Sequence, residues 1–196
     1  MRIFDISTDM AAAPVYPGDP ATRFERVCSI SKGDECNLTA LSACLHTGTH
    51  IDAPAHYIDG AATIDKLELS LFMGDCAVIA CNSYFDDLTG ADIEELLPPR
   101  ATRVLFKTLG QCRLTRSAVF ALIAAGVKLC GIDAPSIAAE DDEAHVHREL
   151  ALAGVAVLEG LTLRHVQSGR YSLFALPVKM SGVEAAPCRA ILLDNR

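Results

Sequence analysis

The stretch from Arg103 to Ile132 sets the terms for the fold. It opens on the apolar run VLF, passes through a polar turn, carries apolar residues at Val119, Leu122 and Ile123, and closes on VKLCGI. Apolar residues three and four apart line one face of a helix, and short Val/Ile/Leu-rich runs on either side read as buried strands. Such a strand-helix-strand unit needs a sheet for both strands to join and a core beneath the helix. Helices are expected over Gly90 to Leu97, Thr115 to Ala125 and Asp141 to Ala153, stopped by Pro98, Gly126 and Gly154. Strands are expected over Arg2 to Ser7, Phe24 to Ile30, Asn37 to Ala43, Gly74 to Ala80, Arg103 to Lys107, Lys128 to Ile132, Val155 to Leu158 and Gly169 to Ala175. Because the part before residue 90 is strand and turn with little helix, the chain reads as a mixed α/β layer structure, not a uniform doubly wound one.

No repeat, low-complexity tract or Ser/Gly linker divides the 196 residues, so one domain is expected. A net charge of -8 sets the surface against phosphate backbones and anionic headgroups, which argues against nucleic-acid and membrane-surface roles. The longest strongly apolar stretch, Ala118 to Val127, falls far short of the roughly 18 residues of a spanning helix. The opening MRIFDISTDM carries charges at Arg2, Asp5 and Asp9 and does not read as an export signal, so a cytoplasmic protein is expected. None of the eight cysteines forms a CxxC pair, and most sit in apolar contexts such as CAVIAC, which fits reduced thiols. The glycines at 126 and 131 lack the spacing of a phosphate-cradling loop.

The chemistry is concentrated in LHTGTHIDAPAHY, residues 45–57, which holds His46, His50, Asp52 and His56. Imidazole and carboxylate are the ligand set of zinc, manganese or iron, and a carboxylate can bridge two ions. Thr47, Gly48, Thr49 and Pro54 are poor helix residues, so the segment is expected to be extended and bent. In an extended chain the four even-numbered side chains share one face. Full extension would still spread His46 and His56 over roughly 33 Å, so the chain must fold back, with Gly48 and Pro54 as the natural bends. Cys44 shares the parity, but its apolar strand LSACL favours burial over a ligand or nucleophile role.

A catalytic metal site draws further ligands from elsewhere, and His145, His147, Glu159 and His165 are the candidates. His145 and His147 lie about 200° apart around the helix, so only one can face a site. Glu159 ends the apolar run VAVL, and by itself reads as a carboxylate solvated at the sheet edge.

Taken together, HTGTHIDAPAH, GIDAPS, HRELALAGVAVLEGL and ALPVKMSGVEAAPCRAIL, with YPGDP at residues 16–20, closely resemble the cyclase family of metal-dependent hydrolases, which includes bacterial kynurenine formamidases. The resemblance runs through nearly the whole chain. It implies a mixed α/β domain of the swivelling β/β/α type. It makes His46, His50 and Asp52 the first metal ligands, with Asp52 bridging two ions, and His147 and Glu159 the second set. Twelve residues separate His147 from Glu159, the family's spacing, which selects His147 over His145. His56 matches the general acid and base. Two zinc ions per subunit are implied, with manganese an alternative, in a homodimer or larger assembly. The implied activity is hydrolysis of a small amide, an aryl formamide such as N-formylkynurenine in tryptophan catabolism. Opening of a cyclic, isatin-like amide is the alternative, and a binding protein without catalysis a more distant one.

The chain departs from the formamidases in three places. Tyr16 stands before PGD where they carry Trp, and can stack on a flat substrate ring. His147 is followed by Arg148 where they tend to carry a second histidine, and the turn TLGQCRLT after Lys107 is shorter. Asp133 within GIDAPS is expected to act structurally.

Overall fold

The computed structural model of the chain describes residues 1–81 and 87–194. Its strands are β1 (Arg2–Asp5), β2 (Arg23–Cys28), β3 (Leu38–Ser42), β4 (His50–Asp52), β5 (Met73–Ala80), β6 (Arg103–Lys107), β7 (Leu129–Ile132), β8 (Ala156–Glu159), β9 (Gly169–Phe174), β10 (Ala185–Pro187) and β11 (Ile191–Asp194). The helices are α1 (Gly90–Leu96), α2 (Arg116–Ala124) and α3 (Glu143–Leu152). Nine strands form one mixed sheet in the order β1-β11-β9-β5-β6-β7-β8-β4-β10. The four in its centre, β5 to β8, run parallel. Parallel neighbours need crossovers, and α1, α2 and α3 provide them, so the expected strand-helix-strand unit is β6-α2-β7.

The sheet curls until its ends meet. Only residues 188–190 separate β10, at one end of the order, from β11, next to the other. Beside this seam Ser7 bridges to Leu161, and the Thr162 amide donates to the Ile6 carbonyl at 2.8 Å. Alternation along each strand divides the apolar side chains between two cores. Val104 and Phe106 join Cys130, Ile132, Val119, Leu122, Val146 and Leu150 beneath the helices. Leu105 joins Phe4, Ile6, Ile51, Leu129 and Leu158 on the other face. Together these elements form a single mixed α/β domain, as expected.

The differences from the expected elements have physical causes. β4, β10 and β11 are only three or four residues long, too short to show a period, and Ala185, Ala186 and Pro187 are poor strand formers. The third helix begins as a 3-10 turn over Glu140–Asp142, because Asp142 (φ -115°, ψ -1°) breaks the α geometry before α3. β2 and β3 pair only with each other, as an antiparallel hairpin outside the main sheet. All eight cysteines are free thiols. Among the described residues no helix is long and apolar enough to cross a membrane.

Candidate metal centre

Three pieces of chain converge at the β4 end of the sheet. β4 is buried along its whole length between β8 and β10, and its register sets His50 opposite Glu159, the last residue of β8. Gly48 (φ +72°) turns the chain into β4, where its backbone lies against Gly160 (φ +65°). A Cβ at Gly160 would collide with the Gly48 carbonyl, so two glycines let this turn press against the end of β8. After β4 the 3-10 turn Pro54–His56 brings the His56 ring back over His46, 4.1 Å between centroids. The bends therefore fall at Gly48 and Pro54, as expected. α3 places His147 on its buried side and leaves His145 exposed.

Asp52 is the hub of this arrangement. Its Oδ1 lies 3.0 Å from His46 Nδ1 and 3.4 Å from His50 Nε2, and its Oδ2 lies 3.6 Å from His147 Nε2. Glu159 completes the ring, with Oε1 at 3.0 Å from His147 Nε2 and Oε2 at 3.5 Å from His50 Nε2. The other nitrogen of each buried histidine is held by a backbone carbonyl: His50 Nδ1 is 3.0 Å from Gly48 O, and His147 Nδ1 is 2.9 Å from Glu143 O. With a proton on Nδ1, each ring turns its Nε2 toward the carboxylates, the orientation that second-layer carbonyls give metal-binding histidines. The Ile137 amide donates to Glu159 Oε1 at 2.7 Å and fixes that carboxylate.

These groups form two donor triads, His46/His50/Asp52 and Asp52/His147/Glu159, each with its ligand atoms within 4.8 Å of one another. Among the described residues, both Asp52 oxygens and His50 Nε2 are buried without a hydrogen-bond partner. A buried carboxylate left so is costly unless something binds it, and divalent cations fit both the gap and the donor set. Burial disfavours a charged His50, yet Asp52 and Glu159 outweigh that and hold its pKa well above the usual histidine value. Burial likewise opposes ionisation of Asp52, but His46 and His50 draw its pKa well down. His147 is pushed up to about 9: burial works against it and Glu159 and Asp52 prevail. His56 goes the other way, its pKa lowered chiefly by burial.

The site opens into a cavity of about 320 Å³ whose walls include Tyr16, Asp19, His56, Tyr57, Asp133 and Glu143. The family described as Putative cyclase matches residues 4–139. The chain belongs to this cyclase family. A solved protein described as a potential metal-dependent hydrolase with cyclase activity is 30% identical, covers 100% of this chain and 98% of its own, and superposes with a TM-score of 0.86. A predicted metal-dependent hydrolase from Bacillus stearothermophilus is also 30% identical, covers 97% of each chain and gives 0.84. Isatin hydrolase A from Labrenzia aggregata, solved with benzyl benzoate, is 22% identical over 97% of this chain and 93% of its own, at 0.82, and so shares the fold. With its donor triads, the chain is a cyclase-family metal-dependent hydrolase.

Of the residues that the cyclase resemblance singles out, His46, His50, Asp52, His56, His147 and Glu159 stand together, and Tyr16 lies in the cavity wall. Glu159 corrects the reading of its residue type alone: it is 4% exposed, not solvated. His165 is exposed and packs near Phe4, outside the cluster. Cys44 is half-buried and belongs to neither donor triad. Asp133 caps a turn, accepting from the Thr108 amide and hydroxyl at 2.6 and 2.8 Å, the structural role expected of it, although it also lines the cavity. Sequence reasoning passed over Tyr57, stacked on His147 at 4.7 Å, and Glu143, which accepts from the Tyr16 hydroxyl at 2.8 Å. It also missed Glu184, 3.6 Å from His46 Nε2. Only the position of Tyr57 beside His56 hinted at any of these.

Proposed function

We propose that this cyclase-family hydrolase cleaves the C–N bond of an aryl formamide such as N-formylkynurenine, releasing formate and the aryl amine. The observation that carries the reading is a buried, unpartnered Asp52 carboxylate shared by two donor triads, beside His56 and open to a cavity with two tyrosines in its wall. His46, His50 and Asp52 would hold one divalent ion and Asp52, His147 and Glu159 a second, zinc or manganese. Ions so held supply a nucleophilic water at neutral pH and polarise the amide carbonyl. His56, kept neutral by burial, accepts the proton released by the attacking water and delivers it to the leaving nitrogen. Tyr16 and Tyr57 offer ring faces to a flat substrate. Ring opening of a cyclic amide such as isatin would use the same residues, and the similar fold of the isatin hydrolases makes it the second reading.

The test is hydrolysis of N-formylkynurenine by purified protein before and after chelation, with zinc and manganese returned in turn. Turnover lost on chelation and restored by metal is the expected result. Metal-loaded protein that leaves N-formylkynurenine intact but opens isatin would replace the first reading with the second.

We further propose a homodimer, or a larger assembly of the same chain, working in the cytoplasm. The β2-β3 hairpin supports the assembly. It leaves Phe24, Val27, Leu38 and Leu41 each more than half exposed, at 53, 54, 52 and 54%, and a two-stranded ribbon is marginal in water by itself. Free thiols throughout fit a reducing compartment. Light scattering on the eluting peak should give at least twice the 20.9 kDa chain mass, and a monomer would remove the assembly.

A further inference from the structure

The cavity wall beyond the metal donors carries a charge pattern that holding cations does not require. Asp19, Asp133 and Glu143 line it, and among the described residues no lysine or arginine does. The three carboxylates differ in what remains free. Asp133 is used up by the Thr108 amide and hydroxyl and by the Leu109 amide, which reaches both of its oxygens at 3.1 Å. Glu143 accepts at Oε2 from the Tyr16 hydroxyl, and its Oε1 accepts nothing among the described residues. Among the described residues the Asp19 carboxylate takes only a thiol hydrogen bond from Cys44, a weak donor.

Position adds to composition. Glu143 stands four residues before His147 on α3, about 6 Å along the axis, which puts both side chains on one face of the helix. Tyr16 bonds to Glu143, and the Tyr57 ring stacks on His147 in the same cavity wall. Half-buried carboxylates beside aromatic rings are the chemistry that recognises ammonium ions, through charge-assisted hydrogen bonds and ring faces. The buried His50 Nε2 at the floor of the same cavity has no hydrogen-bond partner among the described residues and belongs to the donor cluster, so the acidic wall faces the same space as the metal donors.

We infer that the substrate carries an ammonium group at the end away from its scissile amide, held by Glu143 and Asp19 beside Tyr16 and Tyr57, and that amides bearing only a carboxylate there are rejected. This selectivity rests on the amide-hydrolase reading and names the charge that reading leaves open. Attraction to two carboxylates favours the cation, and repulsion by them excludes the anion.

Four aryl formamides test it on the metal-loaded enzyme: N-formylkynuramine, with an ammonium alone; N-formylkynurenine, with ammonium and carboxylate; neutral ortho-formamidoacetophenone; and N-formylanthranilate, with a carboxylate alone. The expected kcat/KM falls in that order, with the first about tenfold or more above the neutral compound at low salt and the gap shrinking as salt is raised. Glu143→Gln should shrink that ratio several-fold, and Asp19→Asn carries the same expectation should the first variant misfold. Equal kcat/KM for cation and neutral compound, preference for the anion, or a ratio unmoved in both variants would overturn the selectivity. If no aryl formamide is turned over, the proposed reaction fails and calorimetry decides the charge question separately. Kynuramine binding about tenfold tighter than neutral ortho-aminoacetophenone keeps it, and equal binding ends it.

Discussion

Beneath its helices the sheet presents Val104, Phe106, Cys130 and Ile132, all at 0% exposure, against Val119, Leu122, Val146 and Leu150. At the β4 end the buried polar side chains are Thr47, Thr49, His50, Asp52, His147 and Glu159. The two regions are equally dry and chemically opposite. Burying apolar side chains against one another is what drives folding, whereas a cluster of buried histidines and carboxylates opposes it through desolvation. α3 serves both, with Val146 and Leu150 in the apolar core and His147 in the polar cluster. The helix-covered face therefore bears the cost of the other end, and a chain keeps such a cluster where it binds something.

That division predicts effects that separate cleanly. Phe106→Ala empties a fully buried site in the helix-covered core and should cost about 3–5 kcal/mol in denaturant unfolding, while refolded protein takes up metal with the wild-type stoichiometry. His56→Ala should do the reverse, with an unchanged unfolding midpoint and bound metal but turnover lower by about 10²–10⁴-fold. Wild-type turnover would remove His56 from the reaction. A Phe106 variant that folds but no longer binds metal would show that the two regions are not separate.

They were also unequally legible in sequence. The helix-covered face announces itself in pattern: VLF and VKLCGI are short apolar runs, Val119 and Leu122 repeat at helical spacing, and β6 falls on the expected residues. The polar end has no period to read. His46, His50, Asp52 and His56 were visible because they crowd one short stretch, and parity with Gly48 and Pro54 even gave the bends. His147 and Glu159 came from the family resemblance, since a carboxylate ending a strand looks solvated until β4 is known to lie against it. β4, β10 and Glu184 stayed hidden because pairing across the curled sheet joins residues more than a hundred apart, and short segments carry no signal of their partner.

Removing metal should sharpen the contrast through pH. In the metal-free protein His147 has a pKa of about 9, against a usual 6.5. A pKa raised by folding gives stability that is complete below the unfolded value and lost as pH climbs through the folded one. Metal-free protein should thus lose Tm between about pH 6.5 and 9. Metal binding must displace that proton, so affinity should rise over the same window. The gap in Tm between metal-loaded and metal-free protein is expected to widen steadily from pH 6.5 to 9. A constant gap would mean that His147 is not among the groups that bind the ion.

The smallest effect probes how far the helix-covered region is insulated from the site. Thr89 caps α1: its hydroxyl oxygen accepts from the Asp92 amide at 3.5 Å, and its own amide donates to Asp92 Oδ2 at 2.8 Å. Thr89→Ala removes one half of this reciprocal pair and should lower stability by about 1 kcal/mol, read as a shift in denaturant midpoint at constant slope. α1 packs on α2 and contributes no residue to the donor triads or the cavity wall, so metal affinity and kcat/KM should stay at wild-type values. A change in either would mean that the α1-α2 layer reaches the site through β6 and β7. The apolar face would then hold the ligands in register as well as supply the stability that lets them be buried.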